Sequence, residues 1–180
     1  DIIKNSKISE IQKIFFLIED CKKYGTLPFS GIARIAFICT KILKSFSELK
    51  IIDENDIENI YGSINTITKS LNDDNLKAYN SKKQKIKFLK KYGHLRPSTY
   101  SLSSLNYSEA YKKYFPKIGQ KKVFSKKIKY KFSLKQNKKI NKLFKEQNFK
   151  IKSEDFLKLL KYSIKYREYA KFVFTKSINE

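Results

Sequence analysis

Apolar side chains recur at intervals of three and four residues along most of this 180-residue chain, and only five glycines and three prolines interrupt them. That spacing lays one apolar stripe along each of a series of helices. Ser9, with Gln12 three positions later, makes a capping box ahead of Ile11, Ile14, Phe15, Ile18 and Cys21, and Gly25 is expected to end this first helix. Pro28 then falls in the first turn of a second helix, where a missing N–H costs little, and Ile32, Ile35, Ala36, Cys39, Leu43 and Phe46 form its stripe. Asp53 is a good N-cap for a long third helix through Ile57, Ile60, Ile64, Ile67 and Leu71, with a break expected over 72–80. Ser81 to Tyr92 reads as a fourth helix. Ser108 is expected to cap a short one ending at Phe115, Ser133 to Gln147 a lysine-rich one, and Ser153-Glu154-Asp155 starts the last. The expectation is an all-α fold, an irregular bundle of about six helices.

The one candidate for β structure is the stretch 123–132, where lysine alternates imperfectly with apolar residues. Ile128, Tyr130 and Phe132 would lie on one side, and Lys127, Lys129 and Lys131 on the other. An edge strand guarded by lysine reads this way, and so does an ordered linker. The organisation expected is a helical domain over 1–116, a basic linker or edge strand over 117–132, and a C-terminal helical pair over 133–180 packing on the same domain.

Hydrophobic residues make up 41% of the chain, enough to build a core and to exclude a disordered basic tail. No run of 18 apolar residues and no signal peptide is visible, so neither a transmembrane span nor export is expected. Methionine is absent, including at position 1, which suggests a segment of a longer chain. Cys21 and Cys39 lie on apolar helix faces and read as reduced, buried thiols; with one histidine and no metal-ligand spacing, no metal site is expected.

The formal net charge of +23 would ordinarily point to nucleic acid or an anionic membrane. Here, however, Arg34, Arg96 and Arg167 are the only arginines among 40 basic residues, and the abundance of Lys, Ile, Asn, Tyr and Phe is what an A/T-rich coding sequence favours. Much of the charge therefore reads as a solvated surface, and nucleic acid is disfavoured as a partner. The alternative is a basic module binding nucleic acid or another polyanion through Lys121 to Lys139. The same bias sharpens the arginines, because a planar fork pairs bidentately with carboxylate or phosphate as a lysine does not.

One stretch concentrates the rare residues. Phe88 to Phe115 holds the only histidine, His94, with Arg96 and Pro97 behind a helix that Gly93 is expected to close in a left-handed conformation. Ser98, Thr99, Tyr100, Ser101, Ser103, Ser104, Asn106 and Tyr107 follow, the composition of a polar pocket wall. By residue chemistry Arg96 would clamp a carboxylate or phosphate, His94 would donate a hydrogen bond or transfer a proton, and Tyr100 and Tyr107 would line the pocket. Arg34, Arg167 and Lys171 form a second tier; Arg167, Lys171 and Thr175 are spaced to share one helix face.

Tyr92-Gly93-His94-Leu95-Arg96-Pro97, with Thr99-Tyr100, Tyr107 and Glu109, resembles the middle region of enzymes related to phosphoenolpyruvate synthase and pyruvate phosphate dikinase, and most of all the shorter bacterial L-glutamine kinase-like members of capsule biosynthesis. Tyr24-Gly25-Thr26-Leu27-Pro28-Phe29 with Ala33-Arg34, and Arg167-Glu168-Tyr169-Ala170-Lys171-Phe172 with Phe174-Thr175, resemble the same family. Ser98, Ser101, Asn106 and Ser108 depart from its pattern. The resemblance implies the central helical domain of a cytoplasmic, ATP-dependent phosphotransferase. Its ATP-grasp domain would lie upstream and its phosphohistidine domain downstream in the same longer chain. The full-length enzyme would use Mg-ATP, and this segment would bind no cofactor of its own and, not catalytic alone, would hold a small-molecule acceptor. A third reading is a structural spacer between those domains.

Overall fold

A computed structural model describes residue 3, residues 5–97, 103–116 and 128–179, with side chains to 177. Tyr100, Ser98, Ser101 and the lysines of 117–127 lie outside the described residues. Seven helices of nine residues or more, and one single turn, make an all-helical fold; among the described residues there is no β-strand. They are α1 (Glu10–Asp20), α2 (Leu27–Glu48), α3 (Glu54–Gly62), α4 (Ile67–Ala78), α5 (Lys82–Tyr92), the turn α6 (Tyr111–Tyr114), α7 (Leu134–Glu146) and α8 (Ser153–Asn179). Residues 128–132 lead into α7 with no regular secondary structure and do not pair as a strand.

Three helices begin with reciprocal capping boxes, at Ser9/Gln12, Asp53/Asp56 and Ser133/Gln136. Each satisfies orphan N–H groups locally, which is why these starts are readable from sequence. Gly25, in contrast, does not end α1. Cys21–Thr26 forms a π-helical turn in which the Leu27 N–H reaches back five residues to the Lys22 carbonyl, and the helix continues into α2. Pro28 lacks an N–H and crowds the carbonyl four residues earlier in a regular helix, so the widened turn lets the chain pass it without stopping. Gly25 serves instead as a close-approach site: a Cβ there would stand 3.0 Å from the Phe174 ring.

The expected long third helix is divided. Gly62-Ser63 is a weak helix former, the Ser63 hydroxyl returns to the Ile60 carbonyl at 2.6 Å, and Thr66 caps a new helix through the Lys69 N–H. The expected break over 72–80 is then helical to Ala78. Asn75, a poor helix former, is held there by tertiary contact: its side-chain carbonyl accepts the Tyr111 hydroxyl at 2.9 Å in a buried setting.

Two cores result. In one, Ala36, Cys39, Leu43 and Phe46 of α2 meet Ile60, Ile140, Phe144, Phe156 and Leu160. The rings of Phe46, Phe144 and Phe156 lie 5.4–5.8 Å apart, mostly edge to face. In the other, Ala78, Phe88, Tyr92 and Tyr111 are joined by Leu71, Leu95, Phe115 and Phe172. α8 contributes to both, so the C-terminal helices are a spine of the fold, with α2 packed along α8.

α1 buries no residue, and Ile11, Ile14 and Phe15 stay largely exposed. The continuous helical stretch Glu10–Glu48, 39 residues, is long and apolar enough by composition to cross a membrane, with mean hydropathy 1.4 over its most apolar window. A mostly buried core helix and an N-terminal signal sequence meet the same criterion, and 17% of this window is buried.

Candidate functional site

The opening motif folds back on itself. The Leu95 N–H bonds to the Tyr92 carbonyl, the Tyr107 N–H to the Leu95 carbonyl at 2.9 Å, and the Ser108 N–H to the Gly93 carbonyl at 3.1 Å. Asn106 and Glu109 exchange side-chain to backbone bonds at 2.7 and 2.9 Å. These two, rather than Ser108, cap the approach to α6. Arg96 donates from Nη1 to the Ser104 carbonyl, which fixes the guanidinium against the loop.

Gly93 is not left-handed; its φ of −58° and ψ of −29° are right-handed helical values. Glycine is needed for space. A Cβ at this position would overlap the Ser108 hydroxyl and the Leu89 carbonyl oxygen.

The loop borders a cleft of about 700 Å³. α2 supplies Phe29, Ala33 and Phe37, one turn apart; α4 supplies Ile67, Thr68, Leu71 and Asn72; the loop supplies Leu95, Arg96 and Tyr107. α8 supplies Arg167, Glu168, Lys171, Phe172 and Thr175 along the predicted face. Phe115 completes the wall. Of the seven residues nominated from sequence, Arg96, Tyr107, Arg167 and Lys171 meet in this cleft. Arg34 is exposed and outside the cleft, although its neighbour Ala33 is in the wall. His94 also stands outside the cleft lining; its half-buried ring lies edge-on to Phe172 at 4.9 Å, and Phe172 does line it. Tyr100 lies outside the described residues.

Each polar group is held by a neighbour. The Arg167 guanidinium carbon sits 5.4 Å from the centre of the Phe37 ring, a cation–π contact that suits a planar cation. Thr68 donates to Glu168 Oε2 at 3.0 Å. The buried Thr175 hydroxyl bonds back to the Lys171 carbonyl at 2.8 Å. Tyr107 packs edge-on against Phe115 at 4.8 Å. Burial, and then the nearby Tyr114 phenol, raises its pKa above the ordinary tyrosine value, so it remains a neutral hydrogen-bonding group.

Three cations and one carboxylate over a wall of aromatic and aliphatic side chains make a receptor for a small anion or zwitterion. The arginines can take a carboxylate or phosphate by paired N–H groups, and Glu168 can accept from an amide or ammonium. Glu168 and Thr68 were not nominated from sequence. Glu168 carries a signal, an acid between two basic residues of the same face, but its partner Thr68 is 100 residues away. Among the described residues no group of three His, Cys, Asp or Glu side chains could hold a metal ion.

No family model, no curated protein and no solved structure matches this chain.

Proposed function

We propose that this chain is the acceptor-binding helical domain of an ATP-dependent phosphotransferase resembling phosphoenolpyruvate synthase, and that the Arg96–Arg167–Lys171 cleft holds the acceptor. One observation carries the reading. The three sequence segments that resemble that family, separated by tens of residues, each contribute to the same cleft: Phe29 and Ala33 from the first, Leu95, Arg96 and Tyr107 from the second, Arg167, Lys171, Phe172 and Thr175 from the third.

In this reading Arg96 and Arg167 clamp the anionic group, Glu168 and Thr68 read the polar remainder, and Tyr107 closes the wall. His94 acts from behind Phe172 as a positioning residue. The ATP-grasp and phosphohistidine domains of a longer chain, with Mg-ATP, would deliver the phosphoryl group, and the reaction would be cytoplasmic.

The test is chemical-shift mapping of the chain with a panel of carboxylate acceptors, including L-glutamine and pyruvate. At least one should shift the amides of Thr68, Tyr107 and Thr175 together. Arg96→Lys and Arg167→Lys should each weaken that binding at least tenfold, because a point charge cannot replace a fork. Binding that ignores both substitutions, or no binding by any member, would overturn the assignment.

A further inference from the structure

The outer face of α7 gathers charge in a way the cleft does not use. Lys135, Lys138, Lys139, Lys142 and Lys145 are all exposed. At 100° per residue they occupy a sector of about 120°, opposite the buried Ile140 and Phe144, and the row runs about 15 Å along the helix. Residues three and four apart on a helix are neighbours, so every member of the row faces a like charge. Among the described residues only Lys142 has a carboxylate within 4 Å, the exposed Glu146 at 3.8 Å.

The acid nearest the start of α7 is engaged to one side. Asp56 accepts from the Gln136 amide at 2.7 Å and from the Tyr130 hydroxyl at 2.9 Å. Over 128–152 the chain carries nine lysines against one acid, Glu146.

Among the other described helices, general lysine abundance does not produce this arrangement on α5 or α8. α5 is as basic, but its lysines spread around more than half the helix, and two are engaged locally: Lys91 with Asp74 at 3.1 Å and Lys85 over the Tyr111 ring at 4.4 Å. On α8, Lys158 pairs with Asp155 at 2.9 Å.

We propose that the outer face of α7 binds the phosphate backbone of a nucleic-acid duplex. A duplex presents a charge about every 1.7 Å of its axis, so the 15 Å row meets more phosphates than it has lysines. No exposed aromatic or aliphatic side chain lies within the row; Leu134, 83% exposed at the first position of α7, and Phe149 flank its two ends. That absence argues against stacking on single strands and against insertion into lipid, and it leaves backbone contact without base readout. The longest run of exposed apolar side chains, Ile11, Ile14, Phe15, Phe16, Leu17 and Ile18, is on α1. They are some 45 Å along the α1–α2 helix from Phe46, where α7 packs.

The experiment measures fluorescence anisotropy of a 20-base-pair DNA duplex, and of the same sequence as RNA, from 50 to 200 mM KCl. Two five-fold variants of the same formal charge, +23 less five or +18, are compared. One replaces the α7 row by glutamine. The other replaces Lys41, Lys83, Lys87, Lys90 and Lys165, exposed lysines on α2, α5 and α8. For the unaltered chain, neutralisation of five phosphates gives a slope of about −4 to −5 in log affinity against log salt. The α7 variant should lose at least three units of slope and bind at least tenfold more weakly than the control variant at 100 mM. DNA and RNA binding alike identifies the shared backbone as the ligand; binding to one alone narrows the duplex.

Equal losses in both variants would make the charge diffuse and overturn the proposal. Absence of duplex binding would do the same, including where the chain binds phosphatidylserine vesicles through α7 instead. Circular dichroism checks each variant; if the five-fold change costs helix signal, Lys138→Gln with Lys142→Gln should remove about two units of slope by the same comparison.

Discussion

Gly93→Ala is a substitution whose sign the structure reverses. At a right-handed helical φ such as −58°, alanine ordinarily stabilises a chain by about 0.4–1 kcal/mol, because it restricts the unfolded state. Here the added methyl would overlap the Ser108 hydroxyl and the Leu89 carbonyl oxygen. The Ser108 hydroxyl can turn away about its side-chain bond, but the Leu89 carbonyl cannot: it is helix backbone and accepts the Gly93 N–H at 2.7 Å. Overpacking costs about 1–3 kcal/mol. The net expectation is a loss of about 1–2 kcal/mol, or roughly 2–8 °C in Tm for a chain of this length. Asparagine separates this account from a left-handed glycine. If Gly93 were left-handed, asparagine would be tolerated better than alanine; if space is the constraint, the larger side chain is worse. Thermal unfolding of Gly93→Ala, Gly93→Asn and Gly93→Ala with Ser108→Gly therefore gives an order. We expect asparagine lowest, alanine next, and partial recovery in the double variant. Alanine at or above the unaltered Tm, or asparagine above alanine, would refute the close-packing argument.

Tyr111→Phe should cost about 1–2 kcal/mol, read as a shifted urea midpoint at constant slope. It removes a buried hydrogen bond and with it the donor to the Asn75 carbonyl oxygen. Asp74 sits among Lys91, Tyr92 and Lys77. Burial works to raise its pKa, but hydrogen bonds from Lys91 and Tyr92 outweigh that and hold it below the ordinary carboxyl value. A depressed folded pKa stabilises above the unfolded value and is lost as pH falls through the folded one, so Asp74→Asn should cost about 0.5–1.5 kcal/mol at pH 7. That difference should shrink as pH drops below about 4, and a difference that persists at pH 2 would mean the charge is not its source.

What the sequence made readable was local. Ser9 with Gln12, Asp53, and Ser133 at the head of α7 are helix starts in which one side chain satisfies N–H groups two or three residues on, and no distant contact is needed. The boundaries that sequence placed wrongly are those settled at long range or by an uncommon backbone. Gly62-Ser63 could have continued a helix, but the Gly62 carbonyl accepts Lys69 Nζ at 2.7 Å and Thr66 begins again. Asn75 looked like part of a break because its partner, Tyr111, is 36 residues ahead. Gly25 and Pro28 looked like a stop and a start because the π-helical turn that carries the chain past them has no periodicity signal of its own.

The candidate site follows the same division, for a reason rooted in composition. Against 37 lysines an arginine stands out one residue at a time, so Arg96 and Arg167 could be nominated without knowing that they would meet. His94 was nominated on the same ground of rarity, yet rarity gives no direction, and the backbone turns its ring toward Phe172 beside the cleft. Glu168 is common enough to pass unnoticed until the fold brings Thr68 to it. α8 explains why these residues converge at all. Its first half fills one core with Phe156, Leu160 and Ile164, and Phe172 enters the other, so the turns between and just beyond them face the seam where α2, α4 and the 95–107 loop come together. Arg167 and Lys171 are thus placed by packing on either side of them, and Arg96 by a loop that the second core anchors through Leu95 and Phe115. A ligand gripped by Arg96 and Arg167 together would join α8, which enters both cores, to a loop anchored in the second. Its affinity then depends on how rigidly α8 holds the two cores together, and not on the cleft residues alone.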